Sequence, residues 1–487
     1  MMANNNKNNA LHYRNHEKEE DADQRQQRGD SSSSTTTSCL ASPPATTTTR
    51  ERLNELLRNS PSKKNATITT TTTTNSTAAA PPIKMSVHDL LEFRRRTHSQ
   101  PGHRQDPYTL ALCLEGGGMR GAVSAGMAQA LQQQGYLDAF DTIYGASAGA
   151  LIGAYLVARQ LTECAGPVVT DILPSQQFVC GKRLWTSIGR MLLGSSSSSN
   201  SNNSRSSIQS MPPAMNLSMV LDDVLLGEDS EYALDMETFV RNDQKQPLRI
   251  VVSCAEANGT QIVSRSLGRA DFVPTTQRGP HRTGLAACLE ASMAVPAATG
   301  PLVPLTTTTT TNDSSNTTTT TVHHAFDAFV AEPIPYVSAV DEGNATHVVC
   351  LCTRPHGSPP RTSGLYERFL APLFFRRHHL PDVAKSLRAG YAVDVYNTAT
   401  RVVLKEQSYK GAAIWGLAVP ADEPELSTTS LDRRQIVRAL RAGEETVRQW
   451  LSTAEETVDE PSSTTAYEPP PVGRMMETMR NWTFANA

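Results

Sequence analysis

Aromatic residues are scarce in this 487-residue chain (6%), and hydrophobic residues make up only 38%. The shortfall is local. Ser and Thr runs occupy Ser31–Thr37, Thr46–Thr49, Thr69–Thr74, Ser195–Ser199, Thr306–Thr311 and Thr317–Thr321. Such polar tracts bury too little apolar surface to offset the entropy of ordering them, so they are expected in tails and surface loops. An excess of either charge is also missing: 45 Lys and Arg against 48 Asp and Glu leave a formal −3, which gives no basic field for a nucleic-acid partner. Apolar runs of about 18 residues are absent, so no membrane span is expected. Nor does the acidic first segment, with Glu17, Glu19, Glu20, Asp21 and Asp23, suit a signal or transit peptide. The eight cysteines form no CxxC pair. They read as buried free thiols of a reducing, cytoplasmic compartment, and no metal site is expected.

What is present concentrates between residues 105 and 455. Tyr108–Leu114 is an apolar run suited to a buried strand, and Gly116–Gly121 breaks it. Ala122–Gln134 then has helical spacing and ends at Gly135. Phe140–Tyr144 reads as a second strand, followed by a turn and an apolar helix over Ala150–Leu161. Strand–loop–helix repeated in this way predicts an α/β fold with a mostly parallel sheet. Further strands are expected at Leu248–Cys254, Gln261–Ser264, His347–Thr353 and Ala413–Val419, and helices at Leu365–Phe375, Val383–Lys405 and Asp432–Thr453. The expected organisation is a disordered leader over 1–104, with weak helices at Arg50–Arg58 and Val87–Arg96; a main domain over 105–355; a helical extension over 356–455; and a flexible tail over 456–487. Surface insertions are expected near 194–210 and 305–321. The Arg94-Arg95-Arg96 run reads as a solvated face or, as the sharper alternative, a contact to anionic lipid.

Two glycine motifs carry chemistry. In Gly116-Gly117-Gly118-Met119-Arg120-Gly121, residues without Cβ atoms let consecutive N–H groups face one point beside a helix N-terminus. That arrangement suits a phosphate or an oxyanion, or is simply a tight turn. A dinucleotide site further requires an acid after the second strand, where Gly145 stands, and Gly-Lys-Ser/Thr is absent. Gly145-Ala146-Ser147-Ala148-Gly149 fits G-x-S-x-G, a nucleophile on a sharp strand-to-helix turn whose flanking residues must be small. Together the two motifs point to acyl transfer. Ser147 then needs a base. An α/β-hydrolase triad would draw on His347, His356, His378 or His379, none of which a motif frames. The carboxylate pairs Asp222-Asp223 and Glu444-Glu445 read as solvated. Leu365–Arg377 combines an apolar, aromatic stripe with a basic end, and reads either as a helix packed on the core or as an interfacial helix led by Phe374 and Phe375.

These motifs, with Phe326-Asp327-Ala328, resemble the patatin-like phospholipases. Ala291–Pro296 and Glu332–Pro335 are similar to the segments those proteins carry before and after their aspartate. Thr353-Arg354-Pro355 and the Arg388, Tyr396-Asn397 helix look like the family's bacterial-type branch. The resemblance implies a three-layer α/β fold, a Ser147–Asp327 dyad without histidine, and an oxyanion hole at Gly117, Gly118 and Met119 with Arg120 completing the motif. It implies lipid acyl esters as substrates, no cofactor, no nucleotide, and a peripheral membrane or lipid-droplet surface as the place of work. One departure stands out: Asp327 is followed by Ala328 where the family has glycine, and alanine resists a positive φ by about 1 kcal/mol or more. That departure, beside the 305–321 insertion, raises the alternative of a catalytically weakened scaffold that binds lipid.

Overall fold

Five short apolar runs form the parallel centre of one sheet. The computed structural model describes residues 85–175, 177–180, 213–256, 259–272, 282–310 and 318–459. In chain order, α1 spans Val87–Arg96, β1 Leu110–Leu114, α2 Gly121–Gln133, β2 Thr142–Ala146 and α3 Ala148–Val157. Next come β3 (Leu248–Ala255), β4 (Ile262–Leu267), α4 (Gly284–Met293), β5 (Val303–Thr310) and β6 (Thr318–Phe326). The chain closes with β7 (His347–Leu351), α5 (Ala371–Arg377), α6 (Pro381–Arg388), α7 (Tyr391–Arg401), β8 (Ser408–Tyr409), β9 (Ala412–Leu417) and α8 (Arg433–Asp459). Parallel pairing runs through β3-β2-β1-β7-β9, and β4, β6, β5 and β8 add antiparallel edges. All five residues of β1 and of β7 are buried, as both-face coverage of a parallel sheet requires. This is the mostly parallel α/β sheet anticipated from the alternating pattern.

Several expectations change. Helix α1 is an integral part of the fold: Val87, Leu90 and Leu91 are buried in the main core. Arg94, expected on a solvated or lipid-facing side, is only 1% exposed. Its guanidinium holds both Asp106 oxygens (3.0 and 2.7 Å), Asp141 (2.8 Å) and the Ala139 and Tyr108 carbonyls (2.7 Å each). Only the neighbours Arg95 and Arg96 stay near the surface, clamped to Glu92. The sequence spacing hid this because one arginine in three turns inward to satisfy the loop that leads into β1.

The Thr runs at 306–311 and 317–321 were expected as a surface loop. Instead β5 and β6 pair antiparallel, with Val303 opposite Ala325 and Thr310 opposite Thr318. Threonine is β-branched and favours extended backbone, so the two tracts pair with each other as a ribbon that continues from the β3–β6 contact at His324–Phe326. The run over Val383–Lys405 divides into α6 and α7 at Gly390, whose φ of 102° no helix admits. Phe374 and Phe375 pack inside, against Phe326 and each other, so the core-packed reading of that helix holds. Its solvent side carries Leu365 (79% exposed) and Phe369 (61%) instead. The stretch near 194–210 and the segment Arg50–Arg58 lie outside the described residues. Among the described residues, Cys113, Cys164, Cys254, Cys288, Cys350 and Cys352 are buried free thiols. No helix there is long and apolar enough to cross a membrane.

Candidate active site

The Gly-rich turn leaves the C-terminal end of β1, and the Ser147 turn leaves that of β2, its parallel neighbour. Small residues make this packing possible. A Cβ on Gly145 would stand 2.5 Å from the Ala150 Cα, and one on Gly149 would stand 2.4 Å from the Leu114 carbonyl oxygen. Ser147 itself sits at φ 51°, ψ −121°, a strained conformation for a residue with a side chain. Its N–H donates to Ser292 Oγ (2.9 Å), and that hydroxyl donates to the Val251 carbonyl (2.6 Å), so α4 braces the turn.

Asp327 arrives from the antiparallel side. Ala146 of β2 is level with Val251 on one flank of β3, and Phe326 of β6 is level with Ser253 on the other. Because β6 runs against β3, the residue after Phe326 steps back toward the level of Ala146. Ser147 Oγ then donates to Asp327 Oδ2 at 2.7 Å. The second carboxylate oxygen accepts the Phe329 N–H (3.0 Å). The Asp327 backbone is pinned by its N–H to the Ala294 carbonyl (2.9 Å) and by Ser253 Oγ on its own carbonyl (2.8 Å). Ala328 lies outside the positive-φ residues and donates to the Ser292 carbonyl (3.2 Å), so alanine fits after Asp327 without the strain expected of it. Asp327 is 1% exposed, and burial pushes its carboxyl up to about 7 against the two hydrogen bonds that lower it.

Of the expected oxyanion donors, the structure separates the members. The Met119 N–H donates to the Thr428 carbonyl (3.0 Å), and the Gly116 N–H to the Pro333 carbonyl (3.2 Å). Among the described residues, the Gly117 and Gly118 N–H groups have no hydrogen-bond acceptor. Arg120 is turned away into an ion pair with Glu425 (2.8 Å). A narrow apolar crevice, with room for about 10 Å³, begins at Gly118, Gly121 and Ala148 and runs between Leu151, Val168 and Leu173.

None of the four histidines joins Ser147. The His347 ring is bonded to the Met85 carbonyl (2.8 Å) and Thr346 (2.9 Å) at the start of β7, away from the end of the sheet that carries Ser147, and burial holds its pKa below the usual histidine value. His378 packs on Phe374 with ring centres 4.3 Å apart. Sequence reasoning missed Ser292 as a brace, and Glu425 and Thr428 as neighbours of the Gly-rich turn. The Ala-Ser context marked Ser292; no sequence signal marked the other two.

A mostly parallel α/β sheet with a strained serine between strand and helix, facing a Gly-rich turn, sets the protein class. Residues 112–318 match the family model described as patatin-like phospholipase. Asp327 and everything after it lie beyond the matched segment. No curated protein matches the chain by sequence. Among solved structures, VipD from Legionella pneumophila is similar at 14% identity over 72% of this chain and 67% of that one, with a TM-score of 0.33. Human GIVD cytosolic phospholipase A2 is similar at 12% identity over 76% of this chain, with a TM-score of 0.39. This chain spans 62% of the human protein's length.

Proposed function

We propose that this protein is a serine acyl hydrolase that cleaves ester-linked acyl chains of phospholipids or related lipids, working in the cytoplasm at a lipid surface. The observation that carries the reading is the 2.7 Å bond from Ser147 Oγ to a fully buried Asp327. Serine at its ordinary pKa is a weak nucleophile, and a carboxylate out of water, with its pKa near neutrality, is a base matched to it. Ser147 Oγ attacks the ester carbonyl carbon while its proton passes to Asp327 Oδ2. The carbonyl oxygen becomes an oxyanion that the Gly117 and Gly118 N–H groups receive. Collapse breaks the carbon–oxygen bond, and Asp327 returns the proton to the departing alcohol. A water molecule, deprotonated by Asp327, then attacks the acyl-Ser147 ester, and the fatty acid leaves with Ser147 regenerated.

An apolar acyl group is supported by the chemistry beside Gly118 and Ala148, where Leu151, Ile152, Val168 and Leu173 line the narrow crevice. A lipid surface is supported by the solvent side of residues 365–388. Leu365 and Phe369 are exposed there with Arg368, Arg376, Lys385 and Arg388, against one exposed acid, Asp382. Tyr366, between the two apolar residues, donates to the Pro296 carbonyl (2.9 Å) and packs against Phe329, whose N–H holds Asp327. A fluorophosphonate probe tests the function: wild type is labelled, and Ser147→Ala is not. Equal labelling of both proteins would remove Ser147 as the nucleophile.

A further inference from the structure

The Gly-rich turn is held from outside the segment that matches the family. Residues 425–428, between β9 and α8, lie across it. The Thr428 carbonyl takes the Met119 N–H at 3.0 Å. The same carbonyl would stand 2.6 Å from a Cβ on Gly118, which has a φ of +58°. Glu425 Oε1 accepts from Arg120 Nη1 (2.8 Å) and Arg354 Nε (2.9 Å), and Oε2 accepts from Arg354 Nη2 (3.0 Å). Between these two contacts Leu426 is buried in the main core. The residue before the turn is anchored as well: Glu115 is fully buried, accepting from Tyr396 (2.9 Å) and the Thr353 N–H (2.6 Å).

Consecutive glycines have the most backbone freedom to lose. Oxyanion stabilisation depends on donors fixed before the charge develops. On the near side the Glu115 carboxylate and the Gly116 N–H, on the Pro333 carbonyl, hold the turn. On the far side the contacts converge on Met119 and Arg120, immediately after the two N–H groups left without acceptors.

We propose that residues 425–428 are a positioning strap: the Thr428 carbonyl and the Glu425 carboxylate orient the Gly117 and Gly118 N–H groups, so the hydrolytic centre is complete only with the C-terminal segment. This rests on the hydrolase reading above. Glu425 is a positioning residue and touches no substrate; Met119 spends its N–H on the strap and leaves the oxyanion to its two predecessors.

The test compares wild type, Glu425→Ala, Glu425→Gln and Glu425→Asp. Hydrolysis of a small soluble p-nitrophenyl ester, the rate of fluorophosphonate labelling and amide hydrogen exchange of peptides covering 116–120 are measured on each. The strap predicts that Glu425→Ala and Glu425→Gln lower kcat by roughly tenfold to a hundredfold with KM little changed, given that one oxyanion donor is worth about 10²–10³. Labelling slows in parallel, exchange over 116–120 quickens, and Glu425→Asp recovers part of each. Wild-type kcat and unchanged exchange in Glu425→Ala and Glu425→Gln would overturn the strap. A wild type that neither hydrolyses ester nor takes the probe would instead overturn the hydrolase reading, and the exchange experiment would still decide the strap. Should Glu425→Ala fail to fold, Glu425→Gln carries the comparison, since it keeps the side chain's size.

Discussion

Ser147 and Asp327, 180 positions apart, share a hydrogen bond of 2.7 Å inside the protein. Asp327 is pinned at both backbone ends, one carboxylate oxygen accepts the Phe329 N–H, and the other accepts from Ser147. Activity should therefore fall by at least about 10³-fold in Asp327→Asn, measured as ester turnover, because the amide cannot take the serine proton. His347→Ala should retain turnover within about twofold at permissive temperature, since its ring is engaged at the other end of β7. Loss of turnover in His347→Ala with an intact fold would restore a histidine base.

The pH dependence follows from burial. Asp327 must be ionised to act as base, and its carboxyl titrates at about 7, so kcat/KM should rise with pH through that region. Stability should move the opposite way. Both Asp327 and Glu332 are raised by burial to about 7, so the native state binds their protons more tightly than the unfolded chain does. Their contribution is fully present below about pH 4 and is lost as pH climbs to about 7. Asp327→Asn should accordingly be more stable than wild type at pH 8 by about 1–3 kcal/mol, and show little difference at pH 4, in urea melts. A wild-type rate that is flat between pH 5 and 9 would contradict the assignment of Asp327 as base.

Gly118→Ala should damage the site more than the fold. Its φ of +58° costs a side chain about 1–2 kcal/mol, and the added Cβ would press on the Thr428 carbonyl at 2.6 Å. Labelling by a fluorophosphonate should slow at least about tenfold. Gly135→Ala, which has a similar positive φ and open space around it, serves as the control for backbone strain alone. Equal labelling rates in the two variants would show that the turn tolerates displacement.

Leu365→Asp with Phe369→Asp should lower binding to anionic phospholipid vesicles and turnover of vesicle lipid by about tenfold or more, and leave hydrolysis of a soluble p-nitrophenyl ester unchanged. Both side chains are solvent-exposed, so the melting temperature should hold. Vesicle binding equal to wild type in a sedimentation assay would dismiss this face as the lipid contact.

Arg94→Met should destabilise the protein by about 3–5 kcal/mol in chemical denaturation, because it leaves Asp106 buried without its partner. Arg94→Lys should recover little, as one ammonium cannot span two carboxylates and two carbonyls. A loss under 1 kcal/mol would mean that α1 is loosely attached.

The positions of the parallel strands along the chain, the two glycine motifs and the family resemblance were all legible in the sequence, because each is a local pattern: apolar runs of strand length, glycine where the chain must turn, helical spacing after it. Residues acting through distant contacts were legible only where a motif flagged them, as Asp327 was. Glu425 and Thr428 carry no such flag; they matter because β9 and α8 bring the loop between them over the Gly-rich turn. Arg94 looked like one of three equivalent surface arginines until burial distinguished it. The Ser and Thr runs show the limit most plainly. Their composition argues for loops, yet Thr306–Thr310 and Thr318–Thr321 lie in strands that pair with each other, in a ribbon joined to the sheet only through His324–Phe326. The sequence by itself determined that there is a serine on a sharp turn beside a glycine-rich one. The tertiary structure decided which carboxylate meets that serine and which N–H groups remain without acceptors, because both depend on sheet register and on chain returning from more than a hundred residues away.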